Sequence, residues 1–231
     1  MKRVLLKLSG AFLKSSSSLW DLEKLQAIGD QLKRLQSEGV QLAVMVGGGN
    51  LFRGGRNEYV LERFDADEIG RAATCINALF LRSFFQKIGL VTLVYGTDLV
   101  GGSIAPFQLE QARKEFAKGT VLLLAGGIGH GIFSTDTAAA LRAIELSVEG
   151  ILKATNVDGV FDQDPAQFSN AQRLDRLTFQ QAWEGRYGVM DACAFALCRE
   201  QQLPIFVFNA QHPEAIYRAV HETLMGTWIR G

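Results

Sequence analysis

Apolar residues recur along this chain in two alternating rhythms, short uninterrupted runs and longer stretches spaced by three or four, and the alternation predicts strands and helices in turn. The run at 3–8 reads as a first strand. Leu22, Leu25, Ile28, Leu32 and Leu35 follow at helical spacing behind Asp21 as N-cap, and Gly39 stops the helix. Strands are then expected at 41–46, 90–95, 120–125 and 150–154, with helices at 67–88, 107–117 and 135–146 between them. Residues 156–170 form the longest irregular stretch, and loops of that length usually serve a function. Thr178 and Gln181 fit a capping box. Beyond it come a helix at 191–202, a strand at 204–208, a helix opened by His212 and Pro213, and a closing strand at 227–229. Such alternation argues for an α/β layered fold around a largely parallel sheet.

Composition narrows the function classes. The chain has 231 residues, 48% of them hydrophobic and 21% charged, enough for a real core and too apolar for disorder. Twenty-four basic and twenty-four acidic residues cancel, which removes the basic footprint of a nucleic-acid binder and leaves room for a small anionic ligand. The apolar N-terminal stretch is short and interrupted by Lys7, so neither a signal peptide nor a membrane span is expected, and the cytoplasm is the expected setting. Cys75, Cys193 and Cys198 lack metal or disulfide spacing and read as reduced core residues. His130, His212 and His221 are scattered, which argues against a protein-built zinc site. No linker divides the chain, so one domain is expected over 1–231.

The candidate chemistry lies in four polar or glycine-rich turns, each after a predicted strand, at 7–10, 47–55, 126–136 and 155–164. In a parallel sheet the carboxyl ends of the strands share an edge, so the four turns converge on one site. Gly47, Gly48 and Gly49 let backbone N–H groups approach a phosphate, and Arg53 adds a guanidinium able to grip two of its oxygens. Ser134, Thr135 and Asp136 open a helix whose free N–H groups suit an anion. Lys7 stands in an apolar strand, where a charge needs a partner or a ligand; the alternative is an edge strand with the lysine in water. Asp136 either caps its helix or orients Lys7 across the site. A lysine so placed suits phosphoryl transfer, which depends on positioning and electrostatics. Neither GxxxxGK[ST], GxGxxG after the first strand, nor the HRD and DFG set is present.

With KLSG at 7–10, GGGNLFRG at 47–54, STDTAA at 134–139, KATNVDGVFDQDP at 153–165, VMDACAFALC at 189–198, LPIFVFN at 203–209 and GTWI at 226–229, the chain resembles the amino acid kinase superfamily. Within it the similarity is to the bacterial uridylate kinases. The resemblance implies a three-layer αβα sandwich, an acceptor-binding lobe over about 1–150 and an ATP-binding lobe over about 151–231. It implies transfer of a phosphoryl group from ATP to UMP, with magnesium carried by the nucleotide phosphates, and a homo-oligomer, a hexamer. Lys7, Arg53 and Asp136 are then the catalytic set. Lys7, Ser9, Gly10, Gly49 and Arg53 meet the ATP phosphates, and Thr155, Asn156, Phe161 and Asp164 line its base and ribose pocket. Gly48, Asp67, Ile128, Gly129, His130, Gly131, Ile132, Phe133, Ser134 and Thr135 hold UMP. Simpler roles stay open for three of these: Asp67 as an acid at a helix start, Phe161 as core, and Asp164 as a turn residue before Pro165. The match departs at Ala11 and Phe12 after KLSG, which leaves GTP activation without support. It departs again at Ile128 and His130, where the family carries hydrogen-bonding side chains toward the acceptor's base. A kinase of another small phosphate or carboxylate, or a non-catalytic nucleotide-binding protein, is the alternative.

Overall fold

The computed structural model describes residues 1–52, 61–97, 101–223 and 225–231. In chain order the first half contains β1 (Arg3–Leu8), α1 (Gly10–Leu13), α2 (Leu22–Ser37), β2 (Gln41–Val46), α3 (Arg63–Lys87), β3 (Thr92–Gly96), β4 (Ala105–Pro106), α4 (Leu109–Ala117), β5 (Val121–Leu124) and α5 (Thr135–Glu145). The second half contains β6 (Gly150–Thr155), β7 (Val160–Phe161), β8 (Arg173–Leu174), β9 (Arg176–Leu177), α6 (Phe179–Glu184), α7 (Ala192–Glu200), β10 (Ile205–Asn209), α8 (Ala215–Val220) and β11 (Thr227–Ile229). Nine of these strands form one sheet in the order β4-β3-β5-β2-β1-β6-β10-β11-β9. Its pairs are parallel except β10 with β11.

Strand parity sorts the core into two halves, because successive side chains on a strand point to opposite faces. Val4, Leu6 and Leu8 of β1 pack with Leu25, Ile28 and Leu32 of α2, with Ala78, Leu81 and Phe85 of α3 and with Ala215, Ile216 and Ala219 of α8. Leu5 faces the other way, into a cluster with Ala138, Ala139 and Ala143 of α5, Phe116 of α4 and Ala194 and Phe195 of α7. Helices therefore cover both faces of a mainly parallel sheet, the three-layer αβα arrangement.

After β1 and β2 the chain builds outward through β3, β4 and β5 and then returns to the opposite side of β1 with β6. That reversal makes the carboxyl end of β1 a topological switch point, the place where open α/β sheets form a crevice. Cys75 and Cys198 are core residues as expected, but Cys193 is exposed, on the face of α7 turned away from the buried Ala194, Phe195 and Cys198. Elements differ from expectation mainly at their ends. The long helix begins at Arg63 rather than at 67, and the last helix begins at Ala215 rather than at His212 and Pro213. Ser9 caps a four-residue helix, α1, that no periodicity announced. The stretch 156–170 holds the short strand β7, paired with β8.

Candidate active site

The four turns sit side by side because their strands do: β5, β2, β1 and β6 are consecutive neighbours and parallel. Gly47 N–H donates to Leu8 O at 2.9 Å, joining the turn after β2 to the end of β1. A Cβ on Gly10 would lie 2.3 Å from Gly49 N, so the two loops touch backbone to backbone and only glycine fits there. Asn77, fully buried on α3, donates from Nδ2 to Gly47 O at 2.8 Å and to Asn50 Oδ1 at 2.7 Å; its Oδ1 accepts from Asn50 Nδ2 at 3.0 Å and Trp20 Nε1 at 2.9 Å. This amide pair pins the triglycine turn to α3. Thr74 does the same for the next turn, accepting the Gly126 N–H at 2.8 Å.

At the switch point three charges meet. Lys7 and Lys153 are register partners on β1 and β6, and both share the parity of the residues that face α5. Lys7 Nζ lies 2.5 Å from Asp136 Oδ1, and Lys153 Nζ donates to Asp136 Oδ2 at 2.7 Å and also to Val189 O. Lys7 is 8% exposed in the middle of the sheet, so the edge-strand alternative falls. Asp136 is not the helix cap either. Ser134 takes that position, its Oγ accepting the N–H groups of Asp136 at 2.9 Å and Thr137 at 3.3 Å, which leaves the Asp136 side chain to the lysines.

Burial pushes the Asp136 carboxyl up, but the two ammonium groups outweigh it and hold its pKa below the ordinary 3.8. Burial lowers Lys153 from 10.5, with the Lys7 charge acting in the same direction and Asp136 opposing both. Lys153 was not among the sequence candidates. Its signal was available, since the run GILKAT places a lysine in an apolar strand as LLKL does.

Lys153 stands between two cavities. One, of about 890 Å³, is lined by Lys7, Ser9, Lys24, Lys153, Thr155 and Asn156 among others. The other, of about 510 Å³, is lined by Lys153, Thr155, Phe161, Asp164, Tyr187 and Val207 among others. Thr155 Oγ1 donates to Phe208 O at 3.0 Å and Val157 O at 2.8 Å, shaping the shared wall. Asp158, bonded to Asn209 Nδ2 at 3.0 Å and within 2.7 Å of His212 Nε2, anchors the loop behind it. Asp164 is a turn residue as well as a wall residue, for its carboxylate accepts from Ala166 N at 3.0 Å and Gln167 Nε2 at 3.0 Å.

A third cavity, of about 130 Å³, opens toward α3 and the loop after β5. Gly48, Asp67, Gly131, Phe133, Ser134 and Thr135 line it, together with Arg71, Thr74, Gly127 and others. Asp67 Oδ2 accepts from Arg63 Nε at 2.6 Å. Ile128, Gly129, His130 and Ile132 are not in this wall: Ile128 packs against the α5 side of the core, and Ile132 is 72% exposed. Arg53 lies outside the described residues.

The amino acid kinase family matches residues 2–209. A uridylate kinase of Francisella tularensis subsp. holarctica is 41% identical over 99% of this chain and 93% of its own length. A chloroplastic uridylate kinase of Arabidopsis thaliana is 40% identical over 100% of this chain and 69% of its own. The crystal structure of UMP kinase from Ureaplasma parvum superposes with a TM-score of 0.94 at 33% identity, covering 100% of this chain and 99% of that one.

Proposed function

The chain belongs to the amino acid kinase family, and from that premise we propose that it is a UMP kinase, moving the γ-phosphoryl group of ATP to UMP to give UDP and ADP in pyrimidine nucleotide biosynthesis. The observation that carries this reading is the Lys7–Asp136–Lys153 cluster at the switch point, with two cavities on the β6 side and one on the α3 side.

ATP enters as its magnesium complex, the ion held by the phosphates. Among the described residues no group of three or more His, Cys, Asp and Glu side chains is placed to hold a metal, and Asp136 is already shared by two lysines. The base and ribose take the cavity with Thr155, Phe161 and Asp164, and the phosphates run past Asn156 and Lys153 to Lys7, Ser9, Gly10 and Gly49. UMP takes the cavity on the other side, its ribose at Asp67 and its phosphate between Gly48 and the α5 N-terminus at Ser134 and Thr135. Arg53 completes the catalytic set in this reading. The lobes accordingly divide near 150, with the acceptor before that point and ATP after it.

An acceptor phosphate oxygen forms a bond to the γ-phosphorus while the bond from that phosphorus to the β–γ bridging oxygen breaks, and its electron pair leaves with ADP. The acceptor oxygen is already anionic, so no side chain need take a proton. Negative charge spreads over the equatorial oxygens as the group moves, and Lys7 and Lys153 offer it two ammonium groups held in place beforehand. Asp136 orients both and stays ionised at neutral pH. The proposal includes a cytoplasmic setting and a homo-oligomer, a hexamer by resemblance; Ile69 and Ile76, 42% and 52% exposed on α3, support assembly.

The test is ADP release with UMP, CMP, dUMP and isopentenyl phosphate at saturating ATP. UMP is expected to give the highest kcat/KM, and equal or better turnover of another acceptor would overturn the assignment.

A further inference from the structure

Arg71 lines the acceptor cavity one helical turn after Asp67, and its side chain is 15% exposed. A nearly enclosed guanidinium is costly without a partner. Glu68 is one such partner: Arg71 Nε donates to Glu68 Oε2 at 3.0 Å, and Nη2 donates to the same oxygen. The other carboxylate oxygen, Oε1, accepts the Gly131 N–H at 2.5 Å. One carboxylate thus fixes both the plane of the guanidinium and the backbone of the facing loop. The fit is close, for a Cβ on Gly131 would lie 2.6 Å from Asp67 C and Glu68 N.

Depth in the cavity decides which part of a nucleotide Arg71 meets. Gly48 packs on α3 across the turn from Gly70 to Thr74, where its Cβ would come within 2.6 Å of Gly70 O, 2.8 Å of Ala73 Cβ and 3.2 Å of Thr74 N. Helical side chains lean toward the N-terminus, and the pairing with Glu68 puts the guanidinium one turn outward. About four residues of helix, roughly 6 Å, separate Glu68 from the middle of that turn. An acceptor with its phosphate at Gly48 therefore turns its nucleoside end toward Arg71.

On the reading that this cavity takes the acceptor nucleotide, we infer that Arg71 is a specificity-determining residue, its guanidinium donating to the 4-carbonyl oxygen of the pyrimidine base. A pyrimidine with a 4-carbonyl offers an acceptor there, whereas a 4-amino group sets donor against donor. Arg71 thereby selects uracil over cytosine. Glu68 acts through it, as a positioning residue.

Arg71→Met, Arg71→Lys and Glu68→Gln are compared with wild type by kcat and KM for UMP and CMP at saturating ATP, and by KM for ATP. Arg71→Met is expected to raise KM for UMP at least about tenfold and to lower the UMP-to-CMP ratio of kcat/KM by a similar factor, the scale of one lost polar contact in a specificity pocket. KM for ATP should stay within about twofold, because the ATP cavities do not include Arg71. Glu68→Gln should shift the ratio in the same direction by less. If Arg71→Met does not fold, Arg71→Lys carries the test, since it keeps the charge and loses the planar fork; at least about a threefold fall in the ratio is expected. A ratio unchanged in the Arg71 variants, where the wild type turns over UMP, overturns the role of Arg71 alone. A wild type that prefers a non-nucleotide acceptor overturns the acceptor reading beneath it.

Discussion

Asp136 serves two ammonium groups at once, so its removal exposes both. Asp136→Asn keeps the shape and strands Lys7 and Lys153 as mutually repelling, misoriented cations; kcat is expected to fall at least about a hundredfold, as for loss of one preorganised charge stabiliser. The same carboxylate contributes acid-dependent stability. Its folded pKa is depressed, so the contribution is complete above the ordinary value of 3.8 and is lost as pH falls through the folded value. Urea midpoints should show the gap between wild type and Asp136→Asn narrowing below about pH 5, and a constant gap down to acid unfolding would sink the argument. Lys153 governs the opposite limb. Burial lowers its pKa from 10.5, so kcat/KM for ATP should decline at alkaline pH as the free enzyme loses that proton, and Lys153→Arg should move the limb upward. A limb at the same pH in both proteins would assign it elsewhere. Lys7 was legible because a charge inside LLKL has few bland explanations. Lys153 carried the same signal, and strand parity adds that both lysines face one side. Their meeting at Asp136 was beyond spacing rules, Asp136 standing 129 positions after Lys7 and 17 before Lys153, and Arg71 was hidden because an arginine on a mixed helix reads as solvated surface.

Among the elements, helix starts and sheet ends do the positioning. Ser134 caps α5, and its hydroxyl also donates to Asp191 Oδ2, the cap residue of α7, while Thr137 Oγ1 donates to Asp191 Oδ1 at 2.8 Å. Ser134→Ala removes the cap and is expected to cost about 1 kcal/mol in urea unfolding, the usual scale for a lost N-cap. Asn77 matters more. Asn77→Ala takes their Asn77 partner from Gly47 O, Trp20 Nε1 and Asn50 Oδ1, while Asn50 Nδ2 keeps Leu19 O, so a loss of about 3 kcal/mol is expected, with KM raised for both nucleotides as the triglycine turn loosens. A stability change under about 0.5 kcal/mol would mean that other groups hold the turn. Element type was readable wherever periodicity ran long enough, as in α2, α5 and the strands at 3–8 and 41–46. It failed for α1, whose four residues span barely one turn, and for β7, where two residues cannot show a period. Both form because tertiary neighbours supply what local pattern lacks: Ser9 caps α1 against the triglycine turn, and Val160 N–H donates to Thr227 Oγ1 at 2.7 Å.

At the scale of the whole molecule, the strand order places the cavity beside α3 and the cavities beside β6 on opposite sides of one strand. β2 and β5 lie on the first side, β6 and β10 on the second, and β1 carries Lys7 between them, the layout from which the proposed acceptor and donor sites are read. This layout followed from the alternation of strands and helices only as far as a shared edge; the switch point depends on pairing between strands far apart in sequence, such as β1 with β6. Among the described residues, the outer face of α3 is left uncovered. Ile69 and Ile76 stand seven residues apart and exposed, and Phe80 and Phe84 continue the line partly buried, with Trp20 stacked on Phe80 at 4.1 Å between ring centroids. Single exposed apolar residues are ordinary, but an aligned stripe on a 25-residue helix favours contact with another copy. Because the opposite face of α3 carries Thr74, Arg71 and Asp67 to the third cavity, such contact would also steady that cavity. Light scattering should give a mass that is a multiple of 25.4 kDa, and Ile76→Glu, which puts a charge in the stripe, should shift it toward smaller species while raising KM for UMP more than KM for ATP. A wild-type monomer at micromolar concentration would remove the assembly, and dissociation with unchanged KM for UMP would uncouple it from the site.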